Sequence, residues 1–320
     1  MTKLTKVENT AVVVGNKYDD TIIEKFLASR VISVNSVRTY RNALRRLFKF
    51  FAKNQITVPN EEVIVAFANS LKAERKSDST TKLYLTVVKS FFAWTARQNL
   101  FPNVAADVKA KIRKTQNHKR EALTLGQAKM LLSAIEGDDV ISLRNKAIIA
   151  LCLQCGLRTV EIERADIGDL QPSIGYYTLS VQGKGRDCKD QTVKVVAAVA
   201  KMIFTYLEAR GAVADDEPLF TSTSRNNSKY GNRLSAQSVG KMIKSMMRAA
   251  GIDNRKITAH STRHFAATTA IKAGVDLREV SAMLRHSCID TTMRYLHDIN
   301  LENRRAELAV ADSLFSGMVC

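Results

Sequence analysis

The sequence predicts a mainly α-helical protein with one small β-sheet, divided into two domains. A length of 320 residues suits two domains rather than one. Apolar residues recur at spacings of three and four through most of the chain, the period of helices with one buried face. Strict alternation is confined to residues 176–195, where YYTLSVQ and QTVKV flank the turn residues GKGRD, so one β-hairpin is expected there.

Composition narrows the class. With 45% hydrophobic and 25% charged residues the chain is an ordinary globular one, which excludes a fibrous repeat or a disordered polyelectrolyte. Its 49 Lys+Arg against 31 Asp+Glu leave a formal charge of +18, which points to a polyanionic partner. There is no apolar run of about 18 residues, and the apolar stretch near the N-terminus is too short for a secretory signal, so a cytoplasmic location is expected. The five cysteines are odd in number, which speaks against a disulfide framework. Cys152 and Cys155 spell C-x-x-C, but inside the apolar run AIIALCLQCGL and without a second Cys/His pair at zinc spacing, so core packing is expected of them.

Residues 1–16 form a short extension of charge +1, too small to fold alone. Residues 17–103 carry +8 and read as a four-helix domain. In SVRTYRNALRRLFKFFAKNQ the residues Val37, Tyr40, Leu44, Leu47, Phe48 and Phe51 make one apolar stripe. Arg38, Arg41, Arg45 and Lys49 recur on another face with no acid at i+4, so they are candidates for contact with nucleic-acid phosphates as well as for a solvated face. Asn60 is the expected N-cap of EEVIVAFANSLKAE, and Ser79 or Thr80 that of the next helix. Residues 104–120, of charge +5, read as a basic linker able to track a phosphate backbone.

Residues 121–300 mix elements and carry, with the tail, only +4. Thr124 caps a helix, RNKAIIALCLQC is apolar enough to be buried, and the hairpin follows. Helices then run through VVAAVAKMIFTYLEAR, SAQSVGKMIKSMMRAAG, TRHFAATTAIKAG ending at Gly274, and REVSAMLRH opened by Asp276. The tail 301–320 is amphipathic, with Leu308, Val310, Leu314 and Phe315 available to dock in cis or on a neighbouring protomer.

Neither a metal-ligand motif nor a P-loop is convincing: Gly183-Lys184-Gly185 lacks the flanking spacing. What remains is a set of basic groups at element ends, as metal-free phosphoryl transfer requires: cations on the non-bridging oxygens, a proton donor for the leaving oxygen and a nucleophile. CGLRTVEIER presents Arg158 with Glu161 three residues on; QGKGRD puts Lys184 at a hairpin tip; HSTRHF sets His260 and Arg263 at i and i+3; LRHSCIDTTMRYLH carries His286 and, nine residues later, Tyr295. Each alone has a plainer reading, as a salt bridge, an exposed lysine, a helix-start hydrogen bond or packing.

Together, in this order, GLRTVEI, QGKGRD, HSTRHF and LRHSCIDTTMRYLH resemble the tyrosine site-specific recombinases, or phage-type integrases, over roughly residues 17–300. The resemblance implies a helical, SAM-like core-binding domain and a catalytic domain closing as a C-shaped clamp on duplex DNA with inverted-repeat core sites. It implies a homotetramer on DNA, compatible with accessory DNA-bending or directionality factors, and cleavage through a 3′-phosphotyrosine without metal, ATP or other cofactor. It also implies roles: Arg158 and Arg263 clamp the scissile phosphate, Lys184 protonates the 5′ oxygen, His260 moves protons, His286 hydrogen-bonds the phosphate, Glu161 orients the site and Tyr295 attacks. Two positions depart from the family pattern, Arg285 where glycine is usual and Thr262 where leucine is; His264 is read as structural. A type IB topoisomerase and a non-catalytic DNA-binding protein on the same scaffold stay open as alternatives.

Overall fold

The computed structural model describes residues 20–109, 121–183, 185–211, 214–222 and 231–295, together with 310, 311, 313 and 314. The chain divides into two compact units, Met1–Lys114 and Thr115–Cys320.

The first unit is helical among its described residues: α1 Asp20–Ala28, α2 Val34–Lys53, α3 Glu61–Ala73 and α4 Asp78–Arg97. Ser33, Asn60 and Ser77 each accept a backbone N–H of the first turn, which satisfies a donor that the helix itself leaves unpaired. The cap of α4 is therefore Ser77, not Ser79 or Thr80. Several residues here have side chains able to cap, and Ser77 has the extended backbone that a cap needs. The apolar stripe of α2 is buried as its spacing predicts, at Leu44, Leu47, Phe48 and Phe51, with Val37 and Tyr40 packed at the margin. Aromatic rings fill this core. Phe26 meets Phe91 edge-on at 5.5 Å and Trp94 at 5.6 Å between centroids, contacts that fix ring orientation as well as bury area.

Ala105 and Val108 are buried in the same core, so the stretch expected as linker from residue 104 onward begins inside the first unit. Composition misled there because small side chains satisfy a narrow site without making a periodic stripe. Residues 110–120 lie outside the described residues.

The second unit is built around α6, Val140–Cys155, which is buried on nearly every side and packs against α8, Ala197–Arg210, and α10, Ala259–Lys272. Thr124 and Gln127 cap α5, Leu125–Ser133, reciprocally. Cys152 and Cys155 lie in the α6 core, where burial pushes both thiols up to about 12, so they are packing groups rather than nucleophiles. The hairpin forms as β2 Tyr176–Val181 and β3 Gln191–Val195, with Val181 opposite Gln191. A strand absent from the sequence reading, β1 Leu170–Ser173, adds antiparallel to β2 and completes a three-stranded sheet. Its sequence LQPS has one buried residue and a proline, too little alternation to be read locally. Three further helices, α7 Thr159–Arg164, α9 Ala236–Ala249 and α11 Leu277–Leu284, and the short α12 Asp290–Met293 finish the unit. Among the described residues, no helix is long and apolar enough to cross a membrane.

Candidate active site

Gly156 sets the geometry of the first motif. It caps α6 in the left-handed region at φ 60°, and a Cβ there would lie 2.7 Å from Leu284 Cδ2, so glycine is needed both for the turn and for the close approach of α11. The chain then reverses and presents Arg158 as the N-cap residue of α7. Glu161, one turn on, is fully buried. Its Oε1 accepts from Arg158 Nη1 at 2.8 Å, and its Oε2 accepts from the Arg158 backbone N–H at 2.8 Å.

A third donor comes from the position where the family pattern has glycine. Arg285 caps α11 in the left-handed region at φ 56°, which costs an L-residue about 1–2 kcal/mol. Its side chain folds inward to 3% exposure and gives Glu161 Oε2 a hydrogen bond of 2.7 Å from Nη2 and Met283 O one of 2.6 Å from Nη1. Burial raises the Glu161 pKa. The Arg285 charge, the two hydrogen bonds and the Arg158 charge more than offset this, so the carboxyl is held below its usual range and stays ionised.

Arg263 is buried to 1% and donates to Gly156 O at 2.5 Å and to Leu284 O, tying α10 to both glycine-type turns. Burial, then the charges of Arg158 and Arg285, lower its pKa to about 9, so it remains a cation at neutral pH. His260 and Arg263 share a helix side by spacing but not an environment: His260 is exposed. Thr262 is buried and returns its hydroxyl to Ala259 O at 2.8 Å, so it fits the apolar site where leucine is usual without leaving a polar atom unpaired.

His286 follows Arg285 directly. One ring nitrogen, Nδ1, lies 2.7 Å from Thr292 Oγ1. Burial, then the positive charges of Arg263, Arg158 and Arg285, with His260 adding to them in its protonated form, lower its pKa to about 3, leaving a neutral imidazole. Tyr295, 2% exposed, stacks parallel to His286 at 6.2 Å and meets the edge of His264 at 5.0 Å; His264 in turn contacts His260 at 4.9 Å. His264 is thus the ring that joins His260 to Tyr295.

Arg158, Arg285 and His286 line a cavity of about 270 Å³ with Gly183, Arg186, Gln191, Ser287 and Thr291. Gly183 stands beside Lys184, which lies outside the described residues. The foot of its loop is anchored, since Arg164 Nη1 donates to Gly183 O at 2.9 Å and Lys189 pairs with Asp166 and Asp169. Among the described residues, no three His, Cys, Asp or Glu side chains converge to hold a metal ion.

Basic residues also gather on two helix faces. On α2, Arg41 pairs with Glu24 at 2.7 Å and Arg45 with Asp20, both from α1, while Arg38 and Lys49 are exposed. The i+4 test on α2 alone was blind to acids supplied by another helix. The sequence reading also passed over α9, whose Gln237, Gly240, Lys241, Lys244, Ser245 and Arg248 line an open groove of about 1030 Å³ shared with Arg158 and His260. Lys241, Lys244 and Arg248 recur at three and four, the same signal that singled out α2, so this face was legible in principle.

The motifs and the fold both match known proteins. The model of the phage integrase family matches residues 121–301, and that of the phage integrase N-terminal SAM-like domain matches residues 23–99. The tyrosine recombinase XerD of Proteus mirabilis is 30% identical over 307 residues, covering 92% of this chain and 94% of its own. The XerD of Halalkalibacterium halodurans is 26% identical, covering 84% and 88%. The fold is shared with the XerH site-specific recombinase bound to difH (TM-score 0.70, 22% identity, 91% and 83% covered). It is shared also with a lambda integrase tetramer bound to a Holliday junction (TM-score 0.66, 16% identity, 90% and 78% covered). Four motifs in family order, a site assembled from them and two family models together covering most of the chain lead to one conclusion: the protein belongs to the phage integrase family of tyrosine recombinases.

Proposed function

We propose that this chain is a site-specific DNA recombinase acting as a tetramer on duplex DNA, and that Tyr295 is its nucleophile. The supporting observation is the convergence of three separate motifs: Arg158 and His286 line one cavity, Tyr295 stacks on His286, and Arg263 is tied to the Gly156 turn that leads into Arg158.

The chemistry follows from charge. Tyr295 Oη attacks phosphorus, its proton leaves by way of His260 or water, and the P–O5′ bond breaks with Lys184 protonating the departing oxygen. The phosphodiester's single negative charge becomes two in the transition state, and Arg158 and Arg263 meet the added charge with positions already fixed by Glu161 and by two backbone carbonyls. Neutral His286, with Nδ1 engaged by Thr292, offers its other ring nitrogen to a phosphoryl oxygen. The phosphotyrosine keeps the bond energy of the diester, so a 5′ hydroxyl from another strand reverses the reaction without ATP. Because Tyr295 is 2% exposed, attack requires its segment to swing outward when DNA fills the cavity. The α9 face then lies against the phosphate backbone.

The test is a nicked duplex carrying a site recovered from a random-sequence pool by the full chain. A covalent adduct at the 3′ phosphate, formed in EDTA and absent in Tyr295→Phe, is the expected result. An adduct formed by Tyr295→Phe overturns the choice of nucleophile, and no adduct on any bound site favours the non-catalytic DNA-binding reading.

A further inference from the structure

The site contains a guanidinium that the family pattern does not supply. We propose that Arg285 is a positioning residue of this recombinase, which shares the buried Glu161 carboxylate with Arg158 and so leaves Arg158 a net cation for the scissile phosphate. The proposal rests on Tyr295 and the groups around it being the site of strand cleavage.

With glycine at position 285, Arg158 and Glu161 would form a closed pair, one cation against one anion, and the pair would present no net charge to DNA. With Arg285 in place there are two guanidinium groups on one carboxylate. The cluster then carries a net positive charge beside the cavity that Arg158, Arg285 and His286 line together. Arg158 is the more exposed of the two, at 28% against 3% for Arg285. Arg158 therefore faces the solvent-accessible side of the carboxylate and Arg285 its inner side. Arg285 reaches Glu161 from the end of α11, so the carboxylate is held between the start of α7 and the end of α11. The left-handed backbone at Arg285 is unfavourable for most residues other than glycine, and Nε is buried with no hydrogen-bond partner among the described residues. Both costs are offset at one residue by its bonds to Glu161 and to Met283 O, of which the bond to Glu161 reaches the cluster that holds Arg158.

The charge has a second reach. The groups that face His286 are Arg263 and His260 from α10, Arg158 from the start of α7, Arg285 beside it, and the Tyr295 ring. The cations among them all favour a neutral imidazole, and Arg285 is one of them.

The experiment compares the full-length chain with Arg285→Gly and Arg285→Lys. The readouts are adduct formation on the nicked duplex recovered by the wild-type chain, affinity for that duplex, thermal unfolding, and the pH titration of the His286 ring by NMR, assigned with His286→Asn. Arg285→Gly relieves the left-handed backbone at φ 56° but takes one of two guanidinium groups from the buried Glu161 carboxylate, so it is expected to unfold below the wild-type temperature while remaining folded at the assay temperature. Its duplex affinity should lie within about twofold of wild type, its adduct rate should fall by about ten- to a hundredfold, and its His286 midpoint should rise by about half a unit or more. Arg285→Lys, which keeps the charge, should recover part of the adduct rate and the low midpoint. A wild-type adduct rate in Arg285→Gly overturns the proposal, as does a loss of rate with no movement of the His286 midpoint. Adduct formation by Tyr295→Phe would instead overturn the reading of the site itself.

Discussion

Replacing Gly156 by alanine perturbs the turn that places both Arg158 and Arg263. Two costs add. At φ 60° an L-residue is disfavoured by about 1–2 kcal/mol, and the new Cβ would start 2.7 Å from Leu284 Cδ2, with Ala266 Cβ at 3.4 Å. Leu284 is fully buried, so its methyl cannot turn into solvent, and forcing an extra carbon into a packed core costs about 1–3 kcal/mol. Against this, alanine restricts the unfolded chain and returns about 0.4–1 kcal/mol. The net expectation is a loss of about 2–4 kcal/mol in urea unfolding. Gly251 provides the control: it sits at φ 75° with nothing within 4 Å of where a Cβ would stand, so Gly251→Ala shows the backbone cost alone. The difference between the two variants isolates the collision with Leu284. Since Gly156 O accepts from Arg263, the surviving folded Gly156→Ala should also form the covalent adduct more slowly. Equal destabilisation of the two variants would refute the close-approach reasoning.

Three further outcomes follow from the site and its surroundings. Glu161→Gln removes the anion from between two guanidinium groups and strands Arg285 at 3% exposure, so unfolding free energy should drop by about 3–5 kcal/mol; a loss under about 1 kcal/mol would mean that Arg285 escapes to water. His286 titrates near 3 in the folded protein against 6.5 for a free imidazole, so the unfolded chain binds the extra proton between those values. Stability from this residue is complete above pH 6.5 and falls as the pH drops toward 3, by up to about 1.4 kcal/mol per pH unit, and His286→Asn should flatten that part of the denaturation-against-pH curve. On α2, Arg38→Ala and Lys49→Ala should each flatten the slope of log affinity against log salt by about 0.9, as loss of one phosphate contact does, whereas Arg41→Ala should change it less because Glu24 already holds that guanidinium; equal slopes for all three would refute the distinction.

Much of the architecture was legible in the residues because it is governed by short-range rules. The buried stripe of α2 follows from spacing, the caps at Asn60, Thr124 and Asp276 from side chains that satisfy first-turn donors, and the β2–β3 hairpin from alternation around glycines. The order and spacing of GLRTVEI, QGKGRD, HSTRHF and LRHSCIDTTMRYLH were enough to identify the family. Less was legible wherever a residue's partner lies far away in the chain. β1 exists because β2 offers it an edge, Ala105 and Val108 are buried because the first unit has room for them, and Arg41 and Arg45 are neutralised by acids on α1.

The amino-acid sequence by itself determined which chemical groups the protein owns and the order in which the chain delivers them: two arginines, two histidines and a tyrosine at family spacing, on helices whose periods and caps are local. Only the tertiary structure decided how those groups are charged and what they touch. It buries Tyr295 between two imidazoles, ties Arg263 to Gly156 and Leu284, and brings Arg285 across 124 positions to share Glu161. The reason is physical: hydrogen-bond caps and apolar periods act within a few residues, whereas burial and Coulomb interaction depend on distance in space, which the linear order of residues does not specify.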